Sequence, residues 1–144
     1  MSLYKMTLKY LLDTNIVSDL VRNPQGVIAD QISSVGESSV CTSIIVSGEL
    51  RYGAEKSGSK ALVDRVEIIL SAIEVLSFTA PADRHYGKLR QQLTTKGTPI
   101  GPNDLLIASH ALSEKLIIVT ANTREFSRVP GLIVENWFSE LEKR

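Results

Sequence analysis

The sequence predicts a single α/β domain with a central parallel sheet flanked by helices on both faces. Three observations support this. Short β-rich runs alternate with longer helical stretches, turn residues separate them, and 144 residues at 43% hydrophobic suffice for one sizeable core. Strands that alternate with helices must run parallel, because each helix carries the chain back to the starting edge.

In order, Leu8–Leu12 is an apolar run that stops at Asp13 and reads as the first strand. Helices over Ile16–Val21 and Pro24–Val35 follow, the second opening at a proline and closing before Gly36. Ser39–Cys41 is a second short strand. Helical spacing of apolar positions then covers Ser43–Lys56 and Ser59–Ser71, with turn residues between them. A strand over Glu74–Phe78 leads to a helix over Ala80–Lys96 that stops at Gly97. The turn Ile100-Gly101-Pro102 starts the helix Pro102–Glu114, and Leu116–Val119 and Leu132–Glu135 complete the sheet. Residues 7–138 form the domain, 1–6 are an N-terminal extension or leader ahead of the body, and 139–144 are a C-terminal tail. The chain carries no internal repeat and no linker long enough to divide it.

Sixteen basic and sixteen acidic residues cancel, so no global field draws the protein onto nucleic acid. That counts against a pure nucleic-acid-binding module but not against a nuclease, which holds its substrate locally. Cys41 is the sole cysteine. It leaves no intramolecular disulfide and no thiolate zinc site, and a reducing compartment, the cytoplasm, is expected. No apolar run approaches the roughly 20 residues of a membrane span, and the expectation is a protein with no membrane contact.

Ionised carboxylates are rarely buried alone, yet three acids stand where burial is expected. Asp13 follows the first strand, at the sheet edge where open α/β folds bind ligands. Glu49 lies four residues after Ile45, three after Val46 and three before Tyr52, on an apolar stripe. Asp104 heads the stripe Ile107, Ala108, Ala111 and Leu112. Each has an ordinary reading: Asp13 as a helix N-cap, Asp104 as a first-turn acid favoured by the helix dipole. Glu49 gains little from either effect. Three inward carboxylates repel one another unless a cation neutralises them. All-oxygen ligation suits Mg²⁺ or Mn²⁺. His85 and His110 form no ligand pair and read as helix-surface or edge residues. Metal-bound carboxylate sites orient a water and stabilise a phosphoryl group in transfer, so phosphodiester hydrolysis is the leading chemistry.

The same residues carry a family resemblance. Leu11-Leu12-Asp13-Thr14-Asn15, Thr42-Ser43 through Gly48-Glu49-Leu50-Arg51-Tyr52-Gly53, Gly101-Pro102-Asn103-Asp104-Leu105, and Thr120-Ala121-Asn122-Thr123-Arg124-Glu125-Phe126 resemble, in order, the motifs of VapC-type toxins. These are PIN-domain ribonucleases of type II toxin–antitoxin systems. The resemblance implies a PIN-like fold, Mg²⁺- or Mn²⁺-dependent endoribonuclease activity on structured RNA such as tRNA, and a homodimer. It further implies a cognate VapB-type antitoxin that fills the active-site groove and makes the operator DNA contacts itself. Carried over are Asp13, Glu49 and Asp104 as catalytic, metal-binding acids, with Thr14 and Ser43 as supporting hydroxyls. Many PIN nucleases place a fourth acid where this chain has Asn122, which supports without adding charge. Some relatives have asparagine in place of Ala121.

RNA phosphates need cations near the carboxylates, and Arg51, Arg84, Lys88 and Arg124 are the residues within sequence reach. An aspartyl-nucleophile phosphatase is the second enzyme class considered, but it wants an aspartate where Asn15 stands. The alternative from another class is a catalytically weakened PIN scaffold that binds antitoxin or RNA without efficient cleavage.

Overall fold

The computed structural model describes residues 7–138; the expected leader, 1–6, and tail, 139–144, lie outside them. Five strands, β1 Tyr10–Leu12, β2 Val40–Ser43, β3 Glu74–Leu76, β4 Ile117–Val119 and β5 Val134–Glu135, form one sheet in the order β3-β2-β1-β4-β5. Every pairing is parallel. The helices are α1 Thr14–Arg22, α2 Val27–Val35, α3 Ile44–Ser57, α4 Lys60–Ala72, α5 Ala82–Thr95, α6 Pro102–Glu114 and α7 Thr123–Phe126.

Every residue of β1 and β2 is buried. Because neighbouring strand residues point to opposite faces, such continuous burial requires cover on both sides of the sheet. The chain runs outward through β1, β2 and β3, then returns to β4 on the other flank of β1. The C-terminal edges of β1 and β4 therefore frame the topological switch point, where connections diverge and leave a crevice. Register fixes what stands there: Leu12 pairs with Val119, so Asp13 and Thr120 emerge side by side. The Asp13 amide donates to the Val119 carbonyl (2.9 Å) and holds that alignment one residue past the strand.

Most predicted elements are present with ends moved by one to three residues. Ser39 lies in a 3₁₀ turn, Glu37–Ser39, and not in a strand. Its hydroxyl donates to the carbonyls of Val35 and Gly36 (3.2 and 2.7 Å), so it closes α2 instead. The four-residue α7 was not anticipated, since a single turn has no periodicity to read. His110 is a correction: it is buried, its Nδ1 lies 2.7 Å from Ser43 Oγ, and its ring meets Phe78 edge-on at 5.3 Å. The reason is that Ile107, Ala108, Ser109, His110 and Ala111 are all buried in succession, so this part of α6 has no surface face. His85 is half-buried. Trp137, fully buried, packs edge-on against Tyr10 at 5.2 Å and ties the C-terminal segment to β1.

Candidate active site

The site begins with Asp13, which is both of the things its position suggested. It caps α1, its Oδ1 accepting the Thr14 amide (2.8 Å), and it is only 2% exposed at the sheet edge. Its Oδ2 accepts from Thr120 Oγ1 (2.7 Å) and Asn15 Nδ2 (3.2 Å). The Thr120 hydroxyl in turn accepts the Asn122 amide (2.9 Å), which aims its proton at Asp13. Asn15 also accepts the Ala121 amide (2.9 Å), so the backbone of that position is anchored although its side chain is only methyl.

Glu49 is brought alongside by α3, which Ser43 caps through the Ile45 amide (3.1 Å). Glu49 is half-buried, beside the buried stripe of Val46, Ser47, Leu50 and Ala54. Tyr52, expected on that stripe, is 68% exposed, because the side of α3 that it occupies opens to solvent. Thr14 Oγ1 donates to Glu49 Oε1 (2.6 Å), and Asn103 Nδ2 donates to Oε2 (3.0 Å). Thr14 thus links the first two acids, through its amide to one and its hydroxyl to the other.

Asp104 stands in the first turn of α6, where Pro102 occupies a position that needs no amide donor. Its Oδ2 accepts Asn122 Nδ2 (3.2 Å), and the same nitrogen reaches Glu125 Oε2 (2.9 Å). Glu125 also accepts the Gly101 amide, and its charge acts on Asp104. Sequence reasoning missed Glu125. It lies in the quoted fourth motif, three residues past Asn122, but only the single turn of α7 swings it onto Asp104. Asn103, Asn15 and Thr120 were missed for the same reason: their roles are hydrogen bonds across the fold.

The electrostatics follow from this crowding. Burial pushes the Asp13 carboxyl above its ordinary range, with the charge of Glu49 adding to it. Asp104 is pushed up to about 7, first by burial and then by the charges of Asp13, Glu125 and Glu49. Glu125 moves the other way, chiefly because the Gly101 amide stabilises its ionised form. Four acids therefore act on one another across a single crevice. Among the described residues no three of them stand close enough to close a ligand set around one point. The convergence is onto a cleft. Such an open, all-oxygen arrangement fits Mg²⁺ or Mn²⁺, since Mg²⁺ keeps several waters and takes only one or two carboxylates directly.

The remaining predicted residues divide. Thr14 and Asn122 touch the acids, as above. Ser43 bonds the Ile45 amide and His110 instead, which places its hydroxyl in the helix cap. Arg51 is turned away, paired on the surface with Glu67 of α4 at 2.8 Å. Arg84 and Lys88 are exposed on α5, and Arg124 is exposed on α7.

The pattern of the PIN domain matches residues 10–132. The chain is 42% identical over 130 residues to "Ribonuclease VapC2" of Rickettsia felis, covering 89% of this chain and 97% of that protein. It is likewise 42% identical over 131 residues to the "tRNA(fMet)-specific endonuclease VapC" of Salmonella typhimurium, covering 90% and 98%. Among solved structures, that of Rickettsia felis VapBC2 bound to a promoter DNA fragment superposes with a TM-score of 0.85 at 39% identity, over 90% of this chain and 99% of that one. The DNA-bound VapBC of Salmonella typhimurium gives 0.81 at 41% identity, over 90% and 98%.

Proposed function

Because this chain belongs to the PIN-domain family, and within it to the VapC ribonucleases, we propose that it is the toxin of a type II toxin–antitoxin pair, an endoribonuclease that hydrolyses RNA phosphodiester bonds with Mg²⁺ or Mn²⁺ bound. The observation that carries the reading is the cleft at the switch point, where Asp104 is pushed up to about 7 by burial and three neighbouring acids. A cleft that holds so much like charge against burial is built for a cation.

Asp13, Glu49 and Asp104 are the catalytic acids that would hold the metal, one or two directly and the rest through its waters, and Glu125 is the fourth carboxylate that the sequence lacks at Asn122. A divalent ion bound there supplies a water of lowered pKa and positive charge beside the phosphoryl group. The chain's own work is positional. Thr120, Asn15 and the Thr14 amide aim the Asp13 oxygens, Thr14 Oγ1 and Asn103 aim those of Glu49, and Asn122 spans Asp104 and Glu125. Phosphoryl transfer asks for little more than positioning and charge stabilisation.

Structured RNA such as tRNA is the proposed substrate, entered at single-stranded loops where bases splay out. Arg84, Lys88 and Arg124 remain the phosphate contacts; Arg51, paired with Glu67, is withdrawn from that role. The partners are a second copy of the chain and a VapB-type antitoxin, through which operator DNA is reached. The setting is the cytoplasm; among the described residues no helix is long and apolar enough to cross a membrane.

The test is incubation of the purified chain with total RNA and Mg²⁺ or Mn²⁺, with and without EDTA. EDTA-sensitive fragmentation, absent in Asp13→Asn, is expected. RNA left intact with either metal would replace the nuclease by the binding-scaffold reading, and cutting that survives EDTA would remove the metal.

A further inference from the structure

We propose that the recess beside Glu49 is a nucleobase subsite in which Tyr52 provides the stacking face for a base next to the scissile phosphate; this rests on the ribonuclease reading above. The recess has a volume of about 630 Å³, within the range of ligand pockets. Its walls are Ile44, Ile45, Gly48, Tyr52, Asn103 and Leu106, and two further lining residues, Thr14 and Glu49, are the ones that join it to the carboxylate cleft.

Four features select the occupant. Continuity comes first: the recess opens onto the carboxylate cleft, because Thr14 and Glu49 belong to both. Second, no Lys or Arg lines it. A phosphate finds no cation there and meets the carboxylate of Glu49, whereas a flat neutral ring suffers no such repulsion. Third, Tyr52 and Ile44 are 68% and 45% exposed, an aromatic face and an aliphatic wall left open to solvent. Base stacking on an aromatic side chain is sequence-tolerant and suits unpaired RNA. Fourth, Gly48 sits inside α3, where glycine costs about 0.5–1 kcal/mol relative to alanine. A Cβ built there meets nothing within 4 Å, so no packing demand requires glycine. The missing side chain instead keeps the floor of the recess clear for close approach of a ring.

The subsite predicts a split between binding and turnover, since stacking acts equally on bound substrate and transition state. In steady-state cleavage of a defined RNA stem-loop, Tyr52→Ala is expected to raise KM about tenfold with kcat nearly unchanged. Tyr52→Phe and Tyr52→Trp should keep KM near the native value. Gly48→Leu, which fills the recess from open space, should raise KM as Tyr52→Ala does while circular dichroism stays native and the melting temperature does not fall. Three results would overturn the proposal: an unchanged KM in Tyr52→Ala, an equal loss in Tyr52→Phe, or a Tyr52→Ala protein that elutes as a smaller species, which would make Tyr52 a contact between copies. If the native chain cuts no RNA at all, the nuclease reading fails by itself. The subsite is then decided by fluorescence anisotropy with a labelled single-stranded oligoribonucleotide: weaker binding by Tyr52→Ala upholds it, and equal binding rejects it.

Discussion

The two halves of the cleft solve the same electrostatic problem differently. Asp13 and Glu49, on the β1 side, are supplied with donors: three for Asp13, two for Glu49, with Thr14 serving both. Asp104 and Glu125, on the α6 side, share one amide nitrogen of Asn122, and Glu125 takes the Gly101 amide besides. Burial still raises Asp13 despite its three donors, Asp104 is raised to about 7 by burial and three neighbouring acids, and Glu125 is lowered, chiefly by the Gly101 amide. The first half is thus preorganised without a cation. The second is the half that a cation changes.

The largest effect expected from this contrast is catalytic. Asp13→Asn and Asp104→Asn should each lower RNA cleavage at least a hundredfold, because each removes part of a charge stabilisation worth several kcal/mol. Glu125→Gln should do less at pH 8 but move the acid limb of the pH–rate profile down, since it removes one of the charges that pushes Asp104 up to about 7. A profile that does not move would detach Glu125 from Asp104.

Next in size is the response to metal. Saturation at a hundred times the dissociation constant adds about 2.7 kcal/mol to folded stability, a rise of several degrees in melting temperature. Protons and cations compete for Asp104, so the rise should be greater at pH 8 than at pH 6. An equal rise at both values would place the ion on the donor-rich half alone.

How much of this was legible in the sequence depends on what kind of information each part needs. The parallel sheet and its helices were readable because burial on both faces of Tyr10–Leu12 and Val40–Ser43 leaves an apolar record in the chain itself. Asp13, Glu49 and Asp104 were readable because acids interrupted that record. Glu125 interrupts nothing: it lies in a polar segment, and its approach to Gly101, 24 residues away in sequence, is decided by one turn of helix after β4. Arg51 failed for a related reason. Proximity to Glu49 in sequence puts it on another side of α3, within reach of Glu67. His110 failed because amphipathic expectation breaks down over residues 107–111, a stretch of α6 buried on every side.

The third effect is on stability without metal. The folded chain keeps the Asp104 proton that the unfolded chain, with an ordinary value near 3.8, has already released. Stability therefore falls as pH rises from about 4 through about 7. Asp104→Asn removes that loss, and solvent screening at a half-buried carboxyl leaves a gain of about 1–2 kcal/mol at pH 8 and none near pH 4. Asp13→Asn should gain less. Its amide would face Thr120, whose hydroxyl proton is already directed inward by the Asn122 amide, and Asn15 Nδ2, so donors would meet a donor. Urea titrations of both variants at the two pH values measure the order, and a larger gain for Asp13→Asn would reverse the contrast between the halves.

The smallest effect isolates a single donor. Thr14→Val deletes the hydroxyl bond to Glu49 (2.6 Å) while leaving its amide on Asp13, so the Asp13 carboxyl stays aimed and the Glu49 carboxyl is held by Asn103 alone. Because Asn103 is exposed, that remaining bond competes with water and restrains Glu49 weakly. A loss of about 1 kcal/mol, roughly fivefold in kcat/KM, is expected, with Thr14→Ser restoring it and the pH profile unmoved. The profile is what discriminates. Asp104 sets the titration on the α6 side, so loosening a donor on the β1 side should lower the rate without shifting the limb, and a shifted limb would mean that the two halves titrate as one.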